Sequence, residues 1–203
     1  MKRFIAAMCL MMAAATSAHA QVATGSAAPD FKAVDALSGK EFSLSDYKGK
    51  TVVLEWVNFG CPFVVKHYGA KNMQKLQADA AKDGVVWISV NSGAEGKQGY
   101  FASDDEARKA LSEQGASAAR YVRDVSGAIG KAYGAKTTPN MYVIDAKGTL
   151  VYQGAIDNKP SVDKADIAGA TNYITTALAE LAAGKPVSTP TTKPYGCGVK
   201  YAD

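Results

Sequence analysis

The chain has 203 residues, of which 23 are basic and 19 acidic, and its formal net charge is +4. Basic and acidic side chains are interspersed along the whole chain, which argues against a clustered basic surface for nucleic acid. The length suits one well-packed domain, and no Pro/Ser-rich linker or internal repeat divides it.

The first twenty residues have the pattern of a secretory signal peptide. Lys2-Arg3 precede an apolar stretch that is too short to span a bilayer, and Ala18-His19-Ala20 matches a signal-peptidase site. Loss of the two basic residues leaves 21 basic against 19 acidic residues, a net charge of +2. We expect a periplasmic or secreted protein without a membrane span, divided into a signal peptide at 1–20, a domain at 21–184 and a tail at 185–203.

The residue pattern in the first half of the domain predicts a hairpin followed by alternating strands and helices. Short apolar runs flank Leu37-Ser38-Gly39-Lys40, which indicates a β-hairpin. A nearly continuous apolar run predicts a strand that is buried on both faces, and apolar residues at helical spacing follow it. The predicted elements are the hairpin strands Phe31 to Ala36 and Glu41 to Leu44, a strand Thr51 to Val57, a helix Pro62 to Lys82 and a strand Val85 to Asn91.

The second half begins with a Gly- and Ser-rich loop from Asn91 to Ser103 and ends in a helix. Gly115, Gly134 and Gly184 stand just beyond helical patterns, where glycine commonly terminates a helix. The predicted elements are a helix Asp104 to Gln114, a strand Tyr121 to Arg123, a helix Ser126 to Tyr133, a hairpin Met141 to Ile144 with Leu150 to Gln153, and a helix Asp163 to Ala183.

This order of elements predicts an α/β fold with a central mixed sheet flanked by helices. Parallel strands come first and an antiparallel pair comes last, with an N-terminal β-hairpin extension and a C-terminal tail. The tail has too little apolar content to fold alone, so it either dangles or packs back on the domain.

The cysteines are the strongest candidates for chemistry. Cys9 leaves with the signal peptide, so the mature chain keeps Cys61 and Cys197. Cys61 stands between the buried strand and the helix that Pro62 opens, where unpaired backbone N–H groups favour a thiolate. We therefore predict that Cys61 is a nucleophile; the alternative is a buried structural cysteine.

Cys197 lies between two glycines in the tail, which gives the chain freedom to approach and leave Cys61. It is predicted to resolve an adduct on Cys61 by forming a disulfide with it. A permanent structural bridge, which in the chain-entropy model adds about 4 to 5 kcal/mol for so long a loop, stays open as the alternative.

The strand Thr51 to Val57, the run Cys61-Pro62-Phe63-Val64, Thr138-Pro139 and Met141 to Gly148 together resemble the thioredoxin superfamily. Within it they resemble the secreted peroxiredoxin-like or redoxin (AhpC/TSA-type) group, and the ending Gly196 to Tyr201 resembles that of the same group. The resemblance implies a thioredoxin-like fold over Gly25 to Ala183 and an oxidoreductase.

Three departures from the family pattern limit what the resemblance implies. Val64 replaces the second cysteine of thioredoxins, so no disulfide can close within the motif. Leu54 and Asn58 stand where typical peroxiredoxins have Pro and Thr, and the missing Thr hydroxyl weakens a peroxidase assignment.

The resemblance also suggests roles for residues around Cys61. Glu55, a carboxylate inside an apolar strand, stands where thioredoxins carry a buried acid and is predicted to accept or return the thiol proton. The alternative places Glu55 at a strand edge beside a lysine. The Thr138-Pro139 pair resembles the cis-proline loop that faces the reactive cysteine, so Pro62, Thr138 and Pro139 are predicted to contact substrate.

His67 raises the alternative of a copper site with Cys61 and Cys197. Six residues along a helix separate Cys61 and His67 by roughly 120° around the axis and about 9 Å along it, so they cannot share one ion. We predict no metal and no cofactor.

The sequence therefore predicts an exported thiol-disulfide oxidoreductase. Its partners would be a protein or small-molecule disulfide or a peroxide, with an external thiol reductant and no nucleic acid. The alternatives are a peroxiredoxin-like thiol peroxidase and a non-enzymatic copper-handling or protein-binding module.

Overall fold

A computed structural model describes residues 22–202. The predicted signal peptide at residues 1–20 lies outside the described residues. Within residues 22–202, every helix is too short or too polar to cross a lipid bilayer.

Strands and helices alternate along the first two thirds of the described chain. The strands are β1 (Lys32–Val34), β2 (Glu41–Ser43), β3 (Val52–Trp56), β4 (Val86–Asn91), β5 (Arg120–Arg123), β6 (Thr137–Thr138), β7 (Asn140–Ile144), β8 (Leu150–Gly154) and β9 (Cys197–Gly198). The helices are α1 (Pro62–Gly69), α2 (Asn72–Lys82), α3 (Asp104–Gln114), α4 (Ala128–Tyr133) and α5 (Tyr173–Ala182), with 3-10 helices at Leu44–Tyr47 and Lys164–Gly169.

Five strands form the central sheet in the order β5-β4-β3-β7-β8. β3, β4 and β5 run parallel, whereas β7 is antiparallel to both β3 and β8. The short strands β1 and β2 pair separately as an antiparallel hairpin. The predicted mixed sheet, with its parallel strands first, its antiparallel pair last and its N-terminal hairpin, is therefore confirmed.

The central strand β3 is buried along its whole length because apolar layers cover both faces of the sheet. Val53 packs in the layer that contains the buried residues of α1, α2, α3 and α5. Leu54 and Trp56 point to the opposite layer, which the hairpin and α4 cover. This burial explains the continuous apolar run of β3, because a strand with one solvated face would alternate.

The predicted single helix from Pro62 to Lys82 is wrong, because α1 ends at Gly69 and α2 begins at Asn72. Lys71 between them adopts a left-handed conformation with φ 60°. At the interruption the Tyr68 carbonyl accepts two hydrogen bonds, from Lys71 N and from Gln74 Nε2, each at 3.0 Å. Gly69, a poor helix former, stands where the first helix stops.

The predicted helix from Asp163 to Ala183 is also interrupted. A 3-10 helix ends at Gly169, and α5 begins only at Tyr173. Asn172 caps α5 because its side-chain oxygen accepts hydrogen bonds from the backbone N–H groups of Ile174 and Thr175, each at 3.0 Å. The amphipathic spacing continues across the interruption, so periodicity alone could not locate it.

The tail packs back on the domain instead of dangling. Its strand β9 pairs antiparallel with β6, and Lys200 O accepts a hydrogen bond from Ala94 N at 2.8 Å. Further along the tail, Tyr201 Oη donates to Ala135 O at 2.9 Å. The tail therefore crosses the end of the sheet where β3 and α1 meet.

Candidate active site

Cys61 lies at the junction of β3 and α1. It is the N-cap residue of α1, with extended backbone (φ −85°, ψ 125°), and Pro62 occupies the first helical position. The side chain is fully buried, and its thiol donates a hydrogen bond to Thr138 O at 3.0 Å. Because α1 points its N-terminus at this residue, the helix dipole favours negative charge on the sulfur.

The loop before Cys61 is braced by Asn58, one of the three departures from the family pattern. Asn58 Oδ1 accepts a hydrogen bond from Gly60 N at 2.9 Å, and Nδ2 donates to Gln98 O at 3.1 Å. Gln98 Nε2 in turn donates to Gly60 O at 3.0 Å. Both ends of the Asn58 amide are thus used in fixing the turn that presents the cysteine.

The loop opposite Cys61 contains a cis peptide bond between Thr138 and Pro139, the isomer that the resemblance implied. Thr138 belongs to β6, and its carbonyl receives the thiol hydrogen of Cys61. The Thr138 side chain is buried, and its Oγ1 makes no hydrogen bond to any atom of residues 22–202. This hydroxyl can turn its hydrogen toward the sulfur once the thiol has ionised.

Cys197 reaches the same site from the tail. In the β6–β9 pair it stands directly opposite Thr138, whose carbonyl accepts the Cys61 thiol hydrogen, so the two cysteines are neighbours. Both cysteines are free thiols in this structure. The fold therefore brings together two cysteines that are 136 residues apart in sequence.

The two thiols have opposite acidities. Burial raises the pKa of the Cys61 thiol, but groups that can donate to its thiolate outweigh burial and leave this pKa below its usual value: the Cys197 and Thr138 side chains first, then the backbone of Val64 and of Cys197. Burial and the neighbouring Cys61 raise the pKa of Cys197 to about 11. At neutral pH, Cys61 is therefore the more readily ionised thiol, and Cys197 stays protonated and can donate a hydrogen bond to the Cys61 thiolate.

Glu55 is fully buried in the central strand β3, which excludes the alternative of a strand-edge carboxylate beside a lysine. Burial raises the pKa of its carboxyl group. Within the described residues its hydrogen-bond donors are four side chains, and Cys61 is not among them: Trp87 Nε1 at 2.9 Å, Ser89 Oγ at 2.9 Å, Tyr68 Oη at 3.0 Å and Gln77 Nε2 at 3.2 Å.

His67 faces away from the two thiols. It is fully buried, and Asn72 Nδ2 donates to its Nδ1 at 2.8 Å, so the ring proton lies on Nε2 beside Asp157 at 3.8 Å. Burial lowers the pKa of His67 to about 4. In the described part of the chain, no three His, Cys, Asp or Glu side chains are grouped to hold a metal ion.

Tyr195 is a site residue that sequence reasoning missed. Its hydroxyl donates to Asp157 Oδ1 at 2.5 Å, and its ring packs against Phe63 with centroids 5.7 Å apart. These contacts fix the tail two residues before Cys197 and join it to the first turn of α1. An aromatic residue in a Pro-, Thr- and Gly-rich tail was the available signal, because such a side chain needs an apolar surface.

Comparisons with known proteins agree with this architecture. A family model described as Redoxin matches residues 23–171. A hypothetical protein from Sinorhizobium meliloti is 27% identical over 90% of this chain and 97% of its own, with a TM-score of 0.72. An uncharacterised conserved protein from Geobacillus kaustophilus is 28% identical over 89% of this chain and 93% of its own, with a TM-score of 0.73.

A solved structure with a functional name covers less of the chain. A putative thiol:disulfide interchange protein from Chlorobium tepidum is 25% identical over 66% of this chain and 85% of its own, with a TM-score of 0.53. A search of curated protein sequences finds no match. From the family match and the fold, the chain belongs to the Redoxin family of the thioredoxin superfamily, and the prediction of a thioredoxin-fold oxidoreductase is confirmed.

Proposed function

We propose that this protein is an exported thiol-disulfide oxidoreductase in which Cys61 is the nucleophile and Cys197 the resolving cysteine. The observation that carries the proposal is that both cysteines meet at Thr138, because Cys61 donates to its carbonyl and Cys197 pairs with it across β6 and β9. The pKa of Cys61 is lowered there and that of Cys197 is raised to about 11. A permanent structural pair would have no need for this difference, whereas a nucleophile and its resolver do.

In the first step the Cys61 thiolate attacks one sulfur of a substrate disulfide. A Cys61–substrate disulfide forms, the substrate S–S bond breaks, and the second substrate sulfur leaves as a thiolate. Cys197 then attacks the Cys61 sulfur, its proton passes to the departing substrate thiolate, and a Cys61–Cys197 disulfide forms. The substrate is reduced by two electrons and the protein is oxidised by two. An external dithiol then reduces the Cys61–Cys197 disulfide and restores both thiols.

Neighbouring groups have separate roles in this scheme. The N-terminus of α1, opened by Pro62, and the Thr138 hydroxyl stabilise the Cys61 thiolate. The Thr138 carbonyl lies at the Cys61 sulfur, and substrate backbone can pair along this strand. Glu55 is a positioning residue, because its carboxylate holds Tyr68 of α1 against the β3–β4 strands.

The hydrogen bonds of two residues, Asn58 and Arg123, make peroxide reduction the weaker proposal. Asn58, at the position of the peroxiredoxin Thr, uses both its amide oxygen and its amide nitrogen in hydrogen bonds to the loop. Arg123 would have to stand near the thiolate to act as a peroxiredoxin arginine does. Its guanidinium instead donates to Phe101 O at 2.9 Å and to Asp104 Oδ1 at 2.7 Å, at the start of α3. The name of the Chlorobium tepidum relative also favours disulfide chemistry.

Export is supported by the signal-peptide pattern of residues 1–20. Outside the cytoplasm, disulfides are abundant and thiol pairs cycle through dedicated reductants. The proposed partners are therefore an extracytoplasmic disulfide and a thiol reductant acting in the same compartment.

Mass spectrometry after treatment with oxidised glutathione tests the proposal. The reduced wild-type protein should end as a Cys61–Cys197 disulfide without bound glutathione, and Cys197→Ser should accumulate one glutathione on Cys61. Cys61→Ser should form neither product. Absence of the adduct in Cys197→Ser would refute the proposal, and catalytic consumption of hydrogen peroxide without reaction with glutathione would favour the peroxidase.

A further inference from the structure

The edge of β6 beside Cys61 is occupied by the tail. Thr137 pairs with Gly198 and Thr138 with Cys197, and Val199 N donates to Lys136 O at 3.1 Å. The tail thus lies as an extended strand across the loop that faces the reactive thiol, with its own cysteine at the sulfur. An exposed strand edge is a standard docking surface for an extended polypeptide.

We propose that β9 is an internal competitor for polypeptide substrates: it occupies the β6 edge on which an extended polypeptide disulfide docks, so the tail must leave before such a substrate reaches Cys61. This inference rests on the proposed function. It is carried by the antiparallel pairing of β9 with β6 and by Cys61, whose side chain is fully buried while the tail is docked.

The tail packs at the margin of the core and contributes no fully buried side chain to it. No residue from 185 to 202 is fully buried, and β9 pairs over only two residues. Polar anchors hold its two sides: Tyr195 Oη to Asp157 on one side and Tyr201 Oη to Ala135 O on the other. Segments at the margin of the core open at a lower free-energy cost than the fully buried core strands.

Gly196 makes this close docking possible. Its φ of +133° is rarely adopted by other residues, and a Cβ there would lie 2.1 Å from Thr138 O. Gly198, two residues further along the tail, has nothing within 4 Å of an added Cβ. The two glycines that flank Cys197 therefore give a disruptive substitution and a matched control.

The consequence for the reaction is a fixed order of docking events. A polypeptide displaces β9, pairs with β6 and forms its mixed disulfide with Cys61. Return of β9 then brings Cys197 to the Cys61 sulfur and expels the substrate from the same edge. The bonds and electrons exchanged are those of the proposed function.

Capture rates on Cys61 test this inference when measured in the Cys197→Ser background, where resolution is blocked. Gly196→Ala and Gly198→Ala are compared with insulin as the polypeptide disulfide and oxidised glutathione as the small one. We expect Gly196→Ala to increase the capture of insulin about tenfold, as loss of one or two tail hydrogen bonds implies, and to change glutathione capture less. Gly198→Ala should leave both rates unchanged.

The outcomes separate the inference from the proposed function. Equal insulin rates in Gly196→Ala and Gly198→Ala, or equal acceleration for insulin and glutathione, would overturn competition at the β6 edge while Cys61 still forms adducts. No adduct with either disulfide in any variant would instead overturn the proposed function. Hydrogen exchange of the Thr138 and Val199 amides, faster in Gly196→Ala, verifies that the strand has been released.

Discussion

Cys61 and Cys197 both adjoin Thr138, yet their surroundings favour different charge states. Cys61 caps a helix and is surrounded by donors, including the Cys197 thiol itself. Cys197 lies in a strand of the tail, where burial and the adjacent Cys61 sulfur both oppose ionisation. Each thiol therefore depends on the other for its acidity, and neither pKa follows from local sequence alone.

This dependence predicts the effect of removing Cys197. The reduced wild-type protein should titrate in two separate steps, with Cys61 ionising below the usual thiol range and Cys197 at about 11. Cys197→Ala should raise the pKa of Cys61, because the thiolate loses a donor, whereas Cys197→Ser retains a donor and should raise it less. Thiolate absorbance against pH measures both; a Cys61 pKa that is the same in all three proteins would contradict the assignment.

The sequence pointed to Cys61 and Cys197 through their local setting and to Thr138 and Pro139 through the family resemblance, and the structure brings these residues together. The contact of Tyr195 with Asp157 spans 38 residues and has no signal in sequence spacing. The donors around Glu55 likewise come from α1, α2 and β4. An acidic residue within an apolar run predicts a buried carboxyl group, but its hydrogen-bond partners depend on tertiary packing.

At the scale of elements, the strands were easier to predict than the helix boundaries. The apolar run of β3 and the glycine after α3 each specify one local outcome. The amphipathic pattern from Pro62 to Lys82 is equally consistent with one long helix or two short ones, since the interruption costs few backbone hydrogen bonds. Tyr68 O, for example, still accepts a backbone hydrogen bond from Lys71 N, and Gln74 Nε2 adds a second.

Lys71 is the strained residue of that interruption and gives a prediction about stability. It is exposed, with φ 60°, a conformation that costs a side chain about 1 to 2 kcal/mol and glycine almost nothing. Lys71→Gly should raise the free energy of unfolding by roughly 0.5 to 1 kcal/mol, since the greater freedom of unfolded glycine offsets part of the gain. Urea denaturation measures this change.

Gly115 provides the matched control for Lys71. It caps α3 in the same left-handed region, with φ 63°. Gly115→Ala should lower stability by about 1 kcal/mol, opposite in sign to Lys71→Gly. If both substitutions shifted stability in the same direction, backbone conformation would not be the cause.

At the scale of the whole molecule, one buried cluster joins three distant parts of the chain. His67 comes from α1, Asp157 follows β8, and Tyr195 belongs to the tail. Lys66, also buried, lies beside them and donates to Lys159 O at 2.9 Å. Because this cluster anchors the tail near Cys61, its charge state affects both stability and tail docking.

Stability should consequently fall as the solution becomes acidic, and His67 should account for part of that fall. Burial lowers the pKa of His67 from 6.5 to about 4, with Lys66 opposing protonation and Asp157 favouring it. The unfolded chain therefore takes up a proton before the folded one, so the free energy of unfolding decreases as the pH falls from about 6.5 to 4. At about 1.4 kcal/mol per pH unit, this contribution amounts to roughly 3 kcal/mol.

His67→Gln isolates this contribution, since Gln keeps polar atoms in the cluster but does not titrate. The variant should be less stable at pH 7, and its stability should change less between pH 6.5 and 4 when urea unfolding is followed at each pH. Glu55, whose raised pKa makes its contribution fall as the pH rises, acts in the opposite direction in both proteins and cancels in their difference. A difference between wild type and variant that is constant with pH would mean that His67 keeps its ordinary pKa in the folded protein.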